Sequence, residues 1–167
     1  LFGLVSRLTP QKGIDLIAEA LPAFLKQHSG AFVFLGRGNP VYERTLQSLA
    51  QKFPRRVFVK IWFDERLAHR IYAGSDFFLM PSRFEPSGLG QMIAMRYGTI
   101  PIVRATGGLK DSVQNKKTGF VFQGATSHEF SRVLTVAHKF YAHSPERLQS
   151  MKRRCIRENF DFSRVAK

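Results

Sequence analysis

Short apolar segments rich in aromatic and β-branched residues alternate with amphipathic segments along most of this chain. The amphipathic segment at residues 13–28, for example, places Ile14, Ile17 and Leu21 on one helical face. Strands that are apolar over their whole length are typical of a parallel sheet covered on both faces. The pattern predicts six strands, at residues 1–5, 31–35, 57–61, 77–80, 100–103 and 119–122.

Helices are predicted between these strands, and the crossover connections of a parallel sheet are right-handed. The fold class is therefore α/β: a Rossmann-like domain with about six parallel strands and helices on both faces. With 167 residues, of which 44% are apolar, the chain can fill one core, so residues 1–167 are expected to form a single domain. The predicted helices lie at residues 13–28, 41–53, 65–73 and 88–97, with two more between 127 and 159 that are separated near 144–145.

Composition narrows the possible ligands. The net charge of +14 favours phosphate-bearing or other anionic ligands. The densest basic run, residues 152–157, is interpreted as a solvated helix face, and because no DNA- or RNA-recognition module is present, nucleic acid is not an expected partner. Cys155 is the only cysteine, which excludes an intrachain disulfide and a cysteine-based zinc site. It is predicted to be a helix residue whose side chain is packed. No apolar run of about 18 residues occurs, so no membrane span is expected.

The segment after the fourth strand, residues 82–91, is the first candidate site. In open α/β sheets, ligands bind beyond the carboxyl ends of the strands. Gly88 and Gly90 would let a ligand approach the backbone closely, and Glu85 could accept hydrogen bonds from hydroxyl groups. The alternative interpretation is that Glu85 only stabilises the dipole of the helix that follows.

The turn after the first strand, residues 6–13, carries two cations to the same edge of the sheet. A guanidinium at Arg7 and an ammonium at Lys12 are suited to binding a pyrophosphate. Neither a Walker loop nor a G-x-G-x-x-G fingerprint is present. The alternative interpretation is a pair of solvated loop cations.

Four segments, taken in order, resemble the C-terminal, donor-binding half of bacterial glycogen synthases and plant starch synthases. These segments are residues 6–13, 72–86, 96–104 and 106–113, and residues 161–163 are similar to the family's closing segment. The family consists of retaining glycosyltransferases with two Rossmann-like domains, the GT-B fold. The resemblance implies that an N-terminal acceptor-binding domain is absent from this chain. The chain also begins directly in a strand without Met, so we expect it to be a piece of a longer protein.

The resemblance also implies roles for individual residues. Arg7 and Lys12 match the pair that binds the donor diphosphate and stabilises it as the leaving group, and Glu85 matches the acid that holds glucose hydroxyls. Phe63 matches an aromatic position that stacks on adenine; by itself it would be interpreted as a core or loop aromatic. Trp62 beside it is predicted to be a packing residue. The family's backbone contacts to glucose and the distal phosphate match Ser87, Gly88, Leu89 and Gly90. No D-x-D pair occurs, so neither a metal nor another cofactor is expected.

The sequence departs from the family pattern at three positions. The family usually has Cys at the position of Ser87 and Thr at the position of Gly90. In the wider retaining superfamily a second Glu lies eight positions after the first, but here that position is Ile93. A mechanism with two carboxylates therefore cannot be built from this motif.

The function implied by the resemblance is transfer of glucose from ADP-glucose to the non-reducing end of an α-1,4-glucan, with retention. The partners would be a nucleotide sugar and, through the missing domain, the glucan acceptor. The isolated fragment is expected to be inactive, and the location to be cytoplasmic in a bacterium or plastidial in a plant. Two alternatives remain: the donor domain of a sucrose- or trehalose-type retaining glycosyltransferase, and a non-catalytic domain that binds polyanions or glycans.

Overall fold

The computed structural model describes residues 1–160 and contains one six-stranded sheet, in which every recorded strand pair is parallel. The strand order is β3-β2-β1-β4-β5-β6. The predicted Rossmann-like sheet is thereby confirmed. The strands are β1 (Phe2–Val5), β2 (Phe32–Leu35), β3 (Val57–Lys60), β4 (Phe77–Met80), β5 (Ile100–Arg104) and β6 (Phe120–Phe122).

Seven α-helices connect and flank the strands within residues 1–160, and a 3-10 turn, Pro10–Lys12, precedes the first of them. Three helices begin at side chains that cap their free N–H groups. Asn39 accepts from the Val41 N–H at 2.8 Å, Asp64 from Leu67 at 2.9 Å, and Thr126 caps the sixth helix. The helices are α1 (Ile14–Gln27), α2 (Pro40–Lys52), α3 (Glu65–Gly74), α4 (Gly90–Arg96), α5 (Gly107–Ser112), α6 (Ser127–His143) and α7 (Pro145–Arg157).

Helices cover both faces of the sheet, as predicted. On β4, Phe77 and Leu79 belong to the larger apolar cluster with α1 and α6, whereas Phe78 belongs to a second cluster with α3 and α4. Alternate residues of a strand point to opposite faces, so the two clusters lie on opposite sides of the sheet. No helix within residues 1–160 is long and apolar enough to cross a membrane.

Aromatic rings fix the pairing of the three central strands on one face. Phe2 of β1 is in register with Phe32 of β2 and Phe77 of β4. Its ring stacks on both neighbours, with ring centroids 4.7 Å and 5.2 Å apart. A shift of one residue would turn these rings to the other face, so this stack defines the register.

Cys155 confirms its prediction as a packed helix residue. It lies in α7, is fully buried, and its thiol donates to the Thr118 carbonyl at 3.0 Å. Burial raises the pKa of this thiol to about 12. Residues 161–163, which contributed to the resemblance, lie outside the described residues.

Two parts of the chain differ from the sequence prediction. Helix α4 begins at Gly90 instead of residue 88, and α5 lies where no helix was predicted. Gly88 has a φ of +70°, which lies outside the right-handed helical region, so α4 cannot include it. The start of α5 donates from the Gly108 N–H to the carbonyls of Glu85 and Pro86, a contact that local periodicity does not reveal.

Candidate active site

The strand order reverses between β1 and β4, so the turns that follow these two strands diverge and leave a crevice between them. A cleft of about 240 Å³ occupies this point. It gathers most of the predicted site residues from the two turns. Its lining includes Arg7, Lys12, Tyr72, Ser82, Glu85, Gly88, Leu89, Gly90 and Ile93.

Backbone contacts hold the two turns together. The Arg83 N–H donates to the Gln11 carbonyl at 2.8 Å, and the Gln11 side-chain amide donates to the Phe84 carbonyl at 3.1 Å. Gly13 has a φ of +68° and sits against the Pro81 carbonyl, where a β-carbon would not fit. These contacts carry the side chain of Lys12 to that of Glu85.

Lys12 and Glu85 form a direct ion pair inside the cleft. Glu85 is only 7% exposed, and the Ser82 hydroxyl lies 3.4 Å from the same carboxylate oxygen, Oε2. The carboxylate therefore faces the cleft and the ammonium group, which argues against the interpretation of Glu85 as a helix-start acid. Arg7 is exposed on the cleft wall, and its guanidinium has no partner among residues 1–160.

Helix α5 supports the turn that carries Glu85. The N–H of Gly108 donates to the carbonyls of Glu85 and Pro86, at 3.1 Å and 3.0 Å. A β-carbon on Gly107 would meet the Glu85 carbonyl oxygen, and one on Gly108 would meet that of Ser87. No residue of this segment was among the predicted site residues, yet only glycine allows the two backbones to approach this closely.

Arg104, at the end of β5, holds the start of the same turn. Its Nε donates to the Ser82 carbonyl at 2.8 Å and its Nη2 donates to the Arg83 carbonyl. Burial, together with the charge of Arg83, lowers the pKa of the Arg104 guanidinium. These bonds fix the backbone immediately before Glu85.

A second cavity, of about 220 Å³, adjoins the first on the other side of the β1 turn. Its walls are mainly apolar and include Leu35 and Phe63, and Arg7 lies in both linings. Phe63 is 71% exposed and Trp62 is 58% exposed. The prediction that Trp62 is a packing residue is wrong: it follows the edge strand β3, its side chain is exposed, and it lines this cavity beside Phe63.

Ser87 and Gly90 occupy different environments. Ser87 is exposed and lies on the turn beside the cleft, outside the lining. At Gly90 a β-carbon would lie 3.2 Å from the Phe78 ring and 3.4 Å from the Met80 sulfur. Because a larger residue would press on this apolar pair, Gly90 fits the packing beneath α4.

Three further residues belong to the site but were not among the predicted site residues. Tyr72 is buried in the cleft wall, where burial raises the pKa of its phenol, and Ser82 contacts Glu85. Gln91 is fully buried beneath the turn and donates to the Gly88 carbonyl at 2.6 Å. The candidate segment 82–91 includes Ser82 and Gln91, but no sequence pattern gave any of the three a role, because each acquires its role through contacts with a distant segment or with the turn.

Within residues 1–160 no group of three or more His, Cys, Asp or Glu side chains is arranged to hold a metal ion. The expectation that the site uses neither a metal nor another cofactor stays a prediction.

Comparison with known proteins gives a consistent result. A family model described as glycosyl transferases group 1 matches residues 1–153. The glycogen synthase of Lacticaseibacillus casei (strain BL23) is 47% identical over 172 aligned residues, which cover 99% of this chain and 36% of that protein. The glycogen synthase of Anaeromyxobacter sp. (strain K) is 55% identical over 129 residues, covering 74% of this chain and 27% of that protein. The chain spans about a third of the length of these curated relatives.

A solved structure also matches. The catalytic domain of starch synthase IV from Arabidopsis thaliana, determined with ADP and acarbose bound, has a TM-score of 0.90 and 38% sequence identity. The match covers 98% of this chain and 36% of that one.

Proposed function

The chain belongs to the group 1 glycosyl transferase family, and on that premise we propose that it is the donor-binding domain of a glycogen or starch synthase. The reaction of the whole enzyme would transfer glucose from ADP-glucose to the non-reducing end of an α-1,4-glucan, with retention. The acceptor site would lie on an N-terminal domain in the remaining two thirds of such an enzyme. The observation that carries the proposal is the Lys12–Glu85 pair beside Arg7, at the crevice where the strand order reverses.

The positive charges in the cleft are suited to a nucleoside diphosphate that acts as the leaving group. As the glycosidic bond breaks, negative charge grows on the diphosphate, and fixed cations stabilise that charge more in the transition state than in the ground state. Arg7 and Lys12 supply the cations from the β1 turn. Arg7 presents a planar fork of donors, while Lys12 presents a point charge.

Glu85 is suited to the sugar. Its carboxylate lies in the same cleft as Gly88, Leu89 and Gly90, so a glucose unit in the cleft could donate hydroxyl hydrogen bonds to the acid. Ile93 also lines the cleft and is apolar. Glu85 therefore acts as a binding group, without a second carboxylate from this motif.

The apolar second cavity is the proposed site of the base. Phe63 and Trp62 offer exposed aromatic faces there, and a stacked purine would be separated from the sugar cleft by the β1 turn with Arg7. The Arabidopsis thaliana starch synthase IV domain was solved with ADP and acarbose bound, which supports an adenine nucleotide as the ligand.

The donor domain by itself is expected to bind nucleotide without transferring glucose. Closure of two domains would bring the acceptor and exclude water from the donor. Glucan elongation by this chain alone would contradict the assignment of the acceptor site to a separate N-terminal domain. A sucrose- or trehalose-type enzyme would be distinguished by assaying the intact protein with different acceptors and finding transfer to an acceptor other than an α-1,4-glucan. A polyanion-binding domain would bind RNA in a salt-sensitive way that ignores changes at Arg7, Lys12 and Glu85.

The test is calorimetric titration of the chain with ADP and UDP, repeated on Lys12→Ala, with the exposed Lys26→Ala on α1 as the matched control. The proposal expects ADP to bind more tightly than UDP, and expects Lys12→Ala alone to weaken ADP binding. Equal affinity for both nucleotides would contradict the base assignment at Phe63. Failure of both nucleotides to bind would contradict a donor site formed by this chain.

A further inference from the structure

Gln91 is a fully buried polar side chain in the first turn of α4. Its amide nitrogen has three acceptors within reach: the Gly88 carbonyl at 2.6 Å, the Ser112 hydroxyl at 3.0 Å and the Ser87 carbonyl at 3.3 Å. Only the NH2 group can face two carbonyl oxygens favourably, so this orientation of the amide is required. Its Oε1 has no hydrogen-bond donor among residues 1–160.

Ser112 continues this contact into α5. Its hydroxyl accepts from Gln91 and donates to the Gly108 carbonyl at 2.6 Å. The N–H of Gly108 in turn donates to the carbonyls of Glu85 and Pro86. These hydrogen bonds form one connected network, in which Gln91 holds the Gly88 end of the 85–88 turn and the start of α5 holds the Glu85 end.

The fit at Gly88 is tight. Its φ is +70°, and a β-carbon there would lie 2.6 Å from Oε1 of Gln91 and 3.0 Å from a methyl carbon of Leu109. The backbone of the turn therefore rests directly on the amide of Gln91. Any change in the side chain at 91 is transmitted to Gly88, which lines the cleft.

We propose that Gln91, with Ser112, is a positioning residue that fixes the 85–88 turn and thereby sets the preference of the site for a sugar-bearing nucleotide over the bare nucleotide. This inference rests on the proposed donor-binding function. The turn carries both Glu85 and the Gly88 backbone to the cleft, whereas Arg7 and Lys12 reach it from the β1 turn. Loss of the support therefore weakens contacts with the sugar more than contacts with the nucleotide.

Burial of the Gln91 amide lowers the stability of the domain, so packing alone does not explain why a polar side chain occupies this position. A buried side-chain oxygen without a donor destabilises a folded protein, and an apolar side chain of similar length would avoid that penalty. The side chain at 91 stabilises the turn only through its two N–H groups. We therefore expect an apolar replacement to leave the domain folded while the turn loses its fixed position.

The test compares affinities for ADP-glucose and ADP by calorimetry in the wild type, three single variants and one double variant. Gln91→Met keeps the length and removes the donors, Ser112→Ala removes the relay to Gly108, and Gln47→Met, on the exposed face of α2, is the matched control. Gln91→Met is expected to lower the affinity for ADP-glucose about tenfold and that for ADP less than about threefold. Ser112→Ala is expected to act in the same direction, and the double variant to lose no more than Gln91→Met, because both act on one network.

Amide hydrogen exchange gives a second readout. Residues 86–90 should exchange faster in Gln91→Met, while the strands β1 and β4 keep their protection. A variant that lowers thermal stability but leaves the ratio of the two affinities unchanged would overturn the positioning role. If Gln91→Met does not fold, Ser112→Ala decides the question by the same ratio.

The outcomes for the two proposals are separate. A wild-type chain that binds neither ADP nor ADP-glucose would contradict the donor-site function itself. A wild-type preference that survives in both Gln91→Met and Ser112→Ala would refute only the role of Gln91.

Discussion

Glu85→Gln is expected to strengthen the binding of ADP, although it removes a residue of the proposed donor site. In the structure the ammonium of Lys12 is neutralised by the Glu85 carboxylate. A diphosphate that binds there must take Lys12 from this partner and also approach a negative charge. An amide at 85 keeps the shape of the side chain and removes both obstacles.

The magnitude follows from the burial of the pair. The two side chains are 16% and 10% exposed, so an effective dielectric constant of about 20 applies, and two unit charges 4 Å apart then interact by about 4 kcal/mol. Desolvation of the two charged groups offsets most of this energy. When ADP binds, its diphosphate takes the place of the Glu85 carboxylate as the partner of Lys12. A net gain of about 1–2 kcal/mol remains, which corresponds to an increase of about fivefold to thirtyfold in ADP affinity.

The sugar should respond in the opposite direction. A carboxylate accepts stronger hydrogen bonds from hydroxyls than an amide oxygen does, by about 1 kcal/mol or more. The preference for ADP-glucose over ADP is therefore expected to fall about tenfold in Glu85→Gln. One substitution would thus raise affinity for one ligand while it removes discrimination in favour of the other.

The assay is calorimetric titration of ADP and ADP-glucose at physiological ionic strength. Glu19→Gln, on the exposed part of α1, changes the net charge equally and serves as the control for long-range attraction of the anion. An ADP affinity in Glu85→Gln that equals or falls below that of wild type, in a folded protein, would refute the reasoning. So would an equal increase in Glu19→Gln.

Three further predictions follow from burial and steric contacts. Phe63→Ala should weaken ADP binding about fivefold to tenfold through lost stacking, yet change the free energy of unfolding by less than about 0.5 kcal/mol, because the ring is 71% exposed; an unchanged dissociation constant would contradict its place against the base. Gly108→Ala should destabilise the domain by about 1–3 kcal/mol in urea unfolding, because its β-carbon meets the Ser87 carbonyl, whereas Gly74→Ala, where a β-carbon meets nothing within 4 Å, should not destabilise it; equal effects would show that the close approach is not real. Burial raises the pKa of Cys155 from its ordinary value of 9.0 to about 12, so stability should be highest below about pH 9 and decline as the pH rises toward 12. Between pH 8 and 10 the wild type should lose about 1–1.5 kcal/mol more than Cys155→Ala in urea unfolding, and parallel losses in the two proteins would contradict the burial of the thiol.

The family resemblance is confirmed by the family model and by the glycogen synthase relatives. The roles of Arg7, Lys12, Glu85 and Phe63 stay predictions, which the titrations above test. Trp62 shows where local reasoning was wrong. An aromatic residue beside a strand is usually packed, and only the tertiary structure shows that Trp62, which follows the edge strand β3, is exposed.

The sequence by itself determined the α/β architecture and the sheet edge at which the candidate site residues lie. Apolar strands alternating with amphipathic helices require a parallel sheet, and in a parallel sheet every turn from a strand to a helix begins at the same edge. Arg7 and Glu85 were therefore assigned to one edge without any knowledge of their contacts. Tertiary structure alone decided that Lys12 pairs with Glu85 across 73 residues, that α5 supports the turn, and that Gln91 donates to its backbone. The physical reason is that these contacts depend on which strands are neighbours and how closely two turns approach, and local periodicity carries neither.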